Sequence, residues 1–183
     1  LGTAIDGLLL RRGGHWNIVI KRVGGDLVYH RGAEEIQSSP QAIEITTAML
    51  FFHILDTQGV DDYEAYIATN GKHGRTFQQL LEAMLVNGEA AATRALADWV
   101  DEQIDVTAVL QDWGLHQTTL VPHQSTPLDI ATITQRLHDG RLGTARGRVL
   151  ILEHLRKGKP AQVIDDAVLH TYVDVTQASS GEP

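Results

Sequence analysis

The spacing of apolar residues divides the chain into an opening helix, two strands, a series of helices and a late strand. Residues 3–12 predict an amphipathic helix that stops at Gly13-Gly14. The β-branched and aromatic runs HWNIVIKRV and DLVYHRG, on either side of Gly24-Gly25, predict a hairpin. From Pro40 to Leu55 apolar side chains cover nearly every face of the predicted helix, which we therefore expect to be central and buried.

Further helices are predicted along most of the remaining chain. Residues 59–75 are predicted to be a loop with one short helix at 61–68, because glycine and adjacent acids interrupt the apolar pattern. The segment QSTPLDIATITQRLHDG predicts a helix capped by Thr126 that ends at Gly140. The other predictions are a helix from Thr76 to Val86 with an apolar stripe, a helix carrying Leu96, Trp99 and Val100, a helix in DVTAVLQDWG, a helix at 144–157, and a strand in AVLHTYVDVTQ.

Composition places the chain in the globular class. It has 183 residues, 43% of them hydrophobic and 21% charged, so we expect one domain over residues 1–183. The net charge of -8 and the four lysines make nucleic acid and anionic membrane poor partners. No cysteine is present, which excludes thiolate chemistry, and the apolar run at 48–55 is too short to span a bilayer.

Several segments resemble the class A β-lactamase and penicillin-binding serine hydrolase family. These are the opening helix and hairpin, the buried helix with its lead-in YHRGAEEIQSSPQAIEITTAML, and the segments LLEAMLVNGEAAATRALADWV, LQDWGLHQTTL and STPLDIATITQRLHDGRL. The resemblance implies an α/β (α+β) fold in which a small antiparallel sheet packs with a helical subdomain. It also implies a bacterial protein of the periplasm or the extracellular space.

The family's catalytic motifs are missing from the positions that this resemblance assigns to them. The Ser-x-x-Lys nucleophile falls on Gln41-Ala42-Ile43-Glu44, and Ser-Asp-Asn falls on Asn87-Gly88-Glu89. No serine in the chain has a lysine three residues later, and a serine hydroxyl needs a positioned base before it can attack. KHG at 72–74 resembles the family's Lys-Thr-Gly in letters, but it precedes the Asn87 turn and is therefore in the wrong order.

Two further parts of the family's pattern are reduced. The loop that carries the deacylating glutamate is shortened to LVPHQSTPLD, which passes almost directly into the next helix. The chain also stops where the family would add its remaining strands and a closing helix. A short sheet has an edge that can pair, so we expect either a homo-oligomer or a partner chain that completes the sheet.

The candidate site residues allow more than one interpretation. Asn87, Gly88 and Glu89 are predicted to be an N-cap, a flexible turn residue and a first-turn acid, with a ligand-facing turn as the alternative. Glu44 either faces a cleft or is solvated or paired with an arginine, since a carboxylate on an apolar helix is costly otherwise. The nine histidines never have the close spacing of zinc ligands on one helix, so we expect no metal and no cofactor.

Three hypotheses follow for the function. The first is a catalytically degenerate member that binds a small molecule or a peptide, or serves in assembly. The second is a hydrolase that uses Glu44 or Glu89 as a general base toward water, on a lactam, ester or peptide. The third is a subunit whose fold is completed by another chain.

Overall fold

Fourteen helices and strands make up the part of the chain that the computed structural model describes, which is residues 1–22, 24–141 and 145–157. In chain order they are α1 (Gly2–Arg12), β1 (Ile18–Lys21), β2 (Leu27–Arg31), β3 (Gln37–Ser38), α2 (Pro40–Thr57), α3 (Tyr63–Thr69), β4 (Gly71–Lys72), β5 (Arg75–Thr76), α4 (Phe77–Leu85), α5 (Ala90–Gln103), α6 (Val106–Asp112), β6 (Gln124–Ser125), α7 (Pro127–Asp139) and α8 (Ala145–Lys157). The strand predicted in AVLHTYVDVTQ lies outside the described residues.

Helix α2 is the centre of the molecule, as its apolar pattern predicts. Ile43, Leu50 and Leu55 are fully buried, and α4, α5 and α8 pack around the helix. The ring of Phe51 lies 5.0 Å from that of Phe77 and 5.1 Å from that of Trp99, measured between centroids. Aromatic contacts at these distances join α2, α4 and α5 into one core.

The strands form three separate antiparallel pairs among the described residues. β1 pairs with β2, β3 with β6, and β4 with β5. The pairing of β3 with β6 connects the entry to α2 with the entry to α7, because Ser39 N–H also donates to the carbonyl of His123. This small antiparallel sheet structure, packed with many helices, is the α/β class that the sequence predicts.

The segment predicted as a loop at 59–75 contains a hairpin that the sequence analysis missed. His73 and Gly74 both have positive φ angles, 53° and 76°, which form the tight turn between β4 and β5. A Cβ on Gly71 would lie 1.9 Å from the carbonyl oxygen of Arg75, so only glycine allows this close pairing. KHG is therefore a hairpin turn.

Two helix starts show how side chains set the boundaries. The short helix predicted at 61–68 begins at Tyr63, because the Asp62 carboxylate caps it by accepting from Ala65 N–H. Thr126 caps α7 as predicted, accepting from Asp129 N–H, and Gly140 ends the helix in the left-handed conformation.

Candidate functional site

The first part of the candidate site is the beginning of α2. The helix starts at Pro40, so Gln41 is its second residue and Glu44 lies one turn further on. Ser39 is the N-cap, and its side chain makes no capping hydrogen bond. Position 41, where the resemblance places the serine nucleophile, therefore lies in the first turn of α2, and it is occupied by a glutamine.

Glu44 is a buried carboxyl group that faces a neighbouring turn. The residue is only 9% exposed, and its Oε1 would lie 4.0 Å from a Cβ built on Gly88. Among the described residues it has no hydrogen bond and no ion pair, so it is neither solvated on an open surface nor paired with an arginine. Burial raises its pKa from 4.5 to about 7, because desolvation penalises the charged form.

The carboxylate of Glu44 nevertheless keeps contact with solvent. The side-chain polar atoms that are fully enclosed without a partner in the described part of the chain are Thr47 Oγ1 and Arg148 Nε, and neither oxygen of Glu44 is among them. Glu44 is therefore buried along its stem and open at its tip.

The second part is the turn between α4 and α5. Gly88 has a φ of 63°, its N–H donates to Met84 O, and Glu89 N–H reaches back to Ala83 O. This is the glycine-terminated end of α4, in which two amides satisfy the last carbonyls. All three residues of the turn are exposed, and Gly88 brings the backbone next to Glu44.

The predicted capping roles in this turn are wrong. The N-cap of α5 is Glu89, without a side-chain capping bond, and Asn87 belongs to the end of α4. The reason is that Gly88 in the left-handed conformation closes the first helix before the second one begins. Glu89 consequently stands at the cap position and lies outside the first turn.

Glu89 is engaged by a residue that the sequence analysis did not single out. Arg75 Nη1 lies 2.7 Å from Glu89 Oε1, and Nη2 lies 3.4 Å from Oε2. Nη2 also donates to the carbonyl of Gln79 at 3.4 Å. The two residues are 14 positions apart, and only the β4–β5 hairpin brings them together, so no local signal could have revealed the pair.

The lysine of KHG is also engaged in a surface ion pair. Lys72 Nζ lies 2.7 Å from Glu102 Oε1, where it connects the β4–β5 hairpin to α5. The structure therefore brings Glu44 and Gly88 together, while Glu89 and Lys72 are each occupied by a partner of opposite charge.

The shortened loop before α7 forms a buried polar network. Asp129 Oδ2 accepts from Gln117 N–H at 2.9 Å and from the Thr118 hydroxyl at 2.8 Å. Since the proton of Thr118 is used in this way, Ser125 donates to Thr118 Oγ1 at 2.9 Å. Ser125 is 2% exposed, so this serine is a structural residue.

Two cavities lie away from Glu44. One, of about 240 Å³, is bordered by α5, α6 and residues 115–121, and the other, of about 500 Å³, lies between β1 and α7. No group of three or more metal-ligating side chains occurs within the described residues, and none of their helices is long and apolar enough to cross a membrane.

The fold and the placement of α2 against the α4–α5 turn define a β-lactamase-like protein. The family model for the β-lactamase enzyme family matches residues 36–174, and the chain belongs to this family. No curated protein matches the chain.

Solved structures show the same fold at low sequence identity. A β-lactamase from Sphaerobacter thermophilus DSM 20745 is 18% identical with a TM-score of 0.67, and the match covers 86% of this chain and 69% of that one. A β-lactamase from Chitinophaga pinensis DSM 2588 is 9% identical with a TM-score of 0.70, covering 89% and 73%. A point mutant of PBP-A, solved as an acyl-enzyme complex with penicillin G, is 18% identical with a TM-score of 0.55, covering 72% and 58%.

Proposed function

We propose that this chain is a catalytically degenerate β-lactamase-family domain that binds a small molecule or a peptide at Glu44, where α2 meets the α4–α5 turn. The observation that carries the proposal is Glu44. It stands where the resemblance places the lysine that activates the serine, and it is a buried acid that forms no ion pair within the described residues. A carboxyl group there cannot supply the positive charge that the family's chemistry uses.

The described serines support the same proposal. Ser125 is enclosed in the Thr118–Asp129 network, and Ser38 lies in β3 on the surface. Ser39 is the serine nearest to the expected nucleophile position, yet the residue three positions after it is Ala42. None of these hydroxyl groups has a lysine or a histidine as a hydrogen-bond partner in the described part of the chain.

Intact-mass spectrometry after incubation with penicillin G and, separately, with a fluorophosphonate tests the proposal. We expect no adduct on folded protein, because no described serine has a base in place to remove its proton. A stoichiometric adduct would contradict the proposal, and peptide mapping of that adduct to Ser39 would identify the serine that is activated. A penicillin-binding transpeptidase treated in parallel shows that both reagents are active.

A hydrolase that activates water is the second candidate, and the raised pKa of Glu44 favours it. A carboxyl group with a pKa of about 7 is suited to accept a proton near neutral pH. This candidate predicts turnover of a chromogenic cephalosporin or an activated ester that is lost in Glu44→Gln. Glu89→Gln is the comparison, since Glu89 is held by Arg75, and turnover unchanged by both substitutions would exclude both assignments.

A further inference from the structure

We infer that Glu44, at the point where α2 meets the α4–α5 turn, binds an ammonium group with its carboxylate as the counter-charge. This inference rests on the proposed function and adds the chemical class of the ligand. The resemblance alone suggests no such ligand, because it places a cation of the protein at this position.

The geometry supplies an unpartnered anion with an opening beside it. Glu44 is about nine-tenths buried, lacks any ion pair or hydrogen bond within the described residues, and keeps its oxygens in contact with solvent. Among the described residues outside the turn itself, the atom nearest to a Cβ built on Gly88 is Glu44 Oε1, at 4.0 Å, so these residues leave room for a methyl-sized group between the turn and the carboxylate.

The charge selects the ligand class. A carboxylate or a phosphate would be repelled by ionised Glu44, and a purely apolar ligand would bury the carboxylate without a partner. A divalent metal needs several oxygen ligands, and no group of three or more candidate ligands exists among the described residues. An ammonium group needs one counter-charge, which the unpaired carboxylate of Glu44 supplies.

No described cation forms an ion pair with Glu44. Arg75, the cation at the α4–α5 turn, is paired with Glu89. His154 on α8 directs Nδ1 to the carbonyl of Leu150 at 2.7 Å. The raised pKa of Glu44 comes from burial, so a bound cation would lower it again and release a proton.

A titration with n-butylammonium, followed by the backbone amide resonance of Gly88, tests the inference. At about pH 8.5 we expect saturable shifts at Gly88, and none with butyrate. Because only about 1% of a carboxyl group with a pKa near 7 is ionised at about pH 5, the apparent affinity should fall by about fiftyfold or more there. The probe remains protonated throughout, as a lysine side chain does.

Two variants make the test specific. Glu44→Gln keeps the shape and removes the charge, and should weaken binding by about tenfold or more. Glu82→Gln removes an exposed acid on α4 and should leave binding unchanged. Alanine amide and N-acetyl-lysine amide, compared at the same pH, distinguish an α-ammonium from a side-chain ammonium, and saturable binding of either supports the inference.

The outcomes separate this inference from the proposed function. Tighter binding of butyrate, absence of any shift at Gly88, or equal affinity in the wild type and Glu44→Gln would overturn the ammonium site. None of these results creates a covalent adduct, so the proposed non-acylating function would stand. An adduct with penicillin G would instead contradict the proposed function, whatever the amine titration shows.

Discussion

Replacing Glu44 by glutamine should remove a loss of stability that the wild type suffers as the pH rises. The pKa of this carboxyl group is about 7 in the folded protein, against a reference value of 4.5. Below the lower value both states are protonated and the shift has no effect. Between the two values the unfolded chain releases the proton first, so stability falls as pH rises, and above about pH 7 the full cost remains.

The magnitude follows from the size of this shift. At about 1.4 kcal/mol per pKa unit, the difference between 4.5 and about 7 destabilises the folded state by about 3 kcal/mol at alkaline pH. Glutamine cannot ionise, so Glu44→Gln should be free of this penalty. The free energy of unfolding of the variant minus that of the wild type should therefore be larger at about pH 8.5 than at about pH 5, by about 2 to 3 kcal/mol.

Urea unfolding at these two pH values measures the effect, because differences between variants cancel the contributions of other titrating groups. Glu82→Gln provides the control for loss of an exposed acid, and we expect its stability relative to the wild type to change little with pH. If the stability difference between the wild type and Glu44→Gln is the same at both pH values, Glu44 is not a desolvated acid and the reasoning fails.

Two further substitutions test the parts of the fold that position the site. Gly71→Ala should destabilise the protein by about 1 to 3 kcal/mol in thermal or urea unfolding, because its Cβ would lie 1.9 Å from the Arg75 carbonyl oxygen. Gly7→Ala on α1, with 3.8 Å to the nearest atom, should be neutral or stabilising, and equal losses in both variants would contradict the clash. Asp129→Ala should cost about 2 to 4 kcal/mol, since it leaves the part-buried amide of Gln117 and the buried hydroxyl of Thr118 without their acceptor, whereas Asp98→Ala on the surface should cost little. Similar unfolding midpoints for the two aspartate variants would show that the polar network before α7 does not contribute to the stability of the folded protein.

The sequence predicts the helices well because their signals are local. The apolar residues of α2 and the Thr126 cap of α7 specify their elements without reference to distant parts of the chain. The β4–β5 hairpin was missed because its strands have two residues each, and a positive φ at His73 is not a property that sequence shows.

The candidate site was predicted only in part, for a related reason. The resemblance indicated Glu44 and the turn at Gly88 as positions, but sequence could not show that they adjoin. Their contact depends on the packing of α2 against α4 and α5. The Arg75–Glu89 pair likewise depends on a hairpin that the sequence analysis did not find.

The central claim is that a buried, unpartnered carboxyl group replaces the catalytic cation of the family. The most direct measurement is a pH titration of the side-chain carboxyl resonances of the nine glutamates by carbon-13 NMR. We expect one resonance to titrate with a pKa of about 7 and to disappear in Glu44→Gln. If no glutamate titrates above about pH 6, Glu44 is solvated or paired with a cation and is not the desolvated acid inferred above.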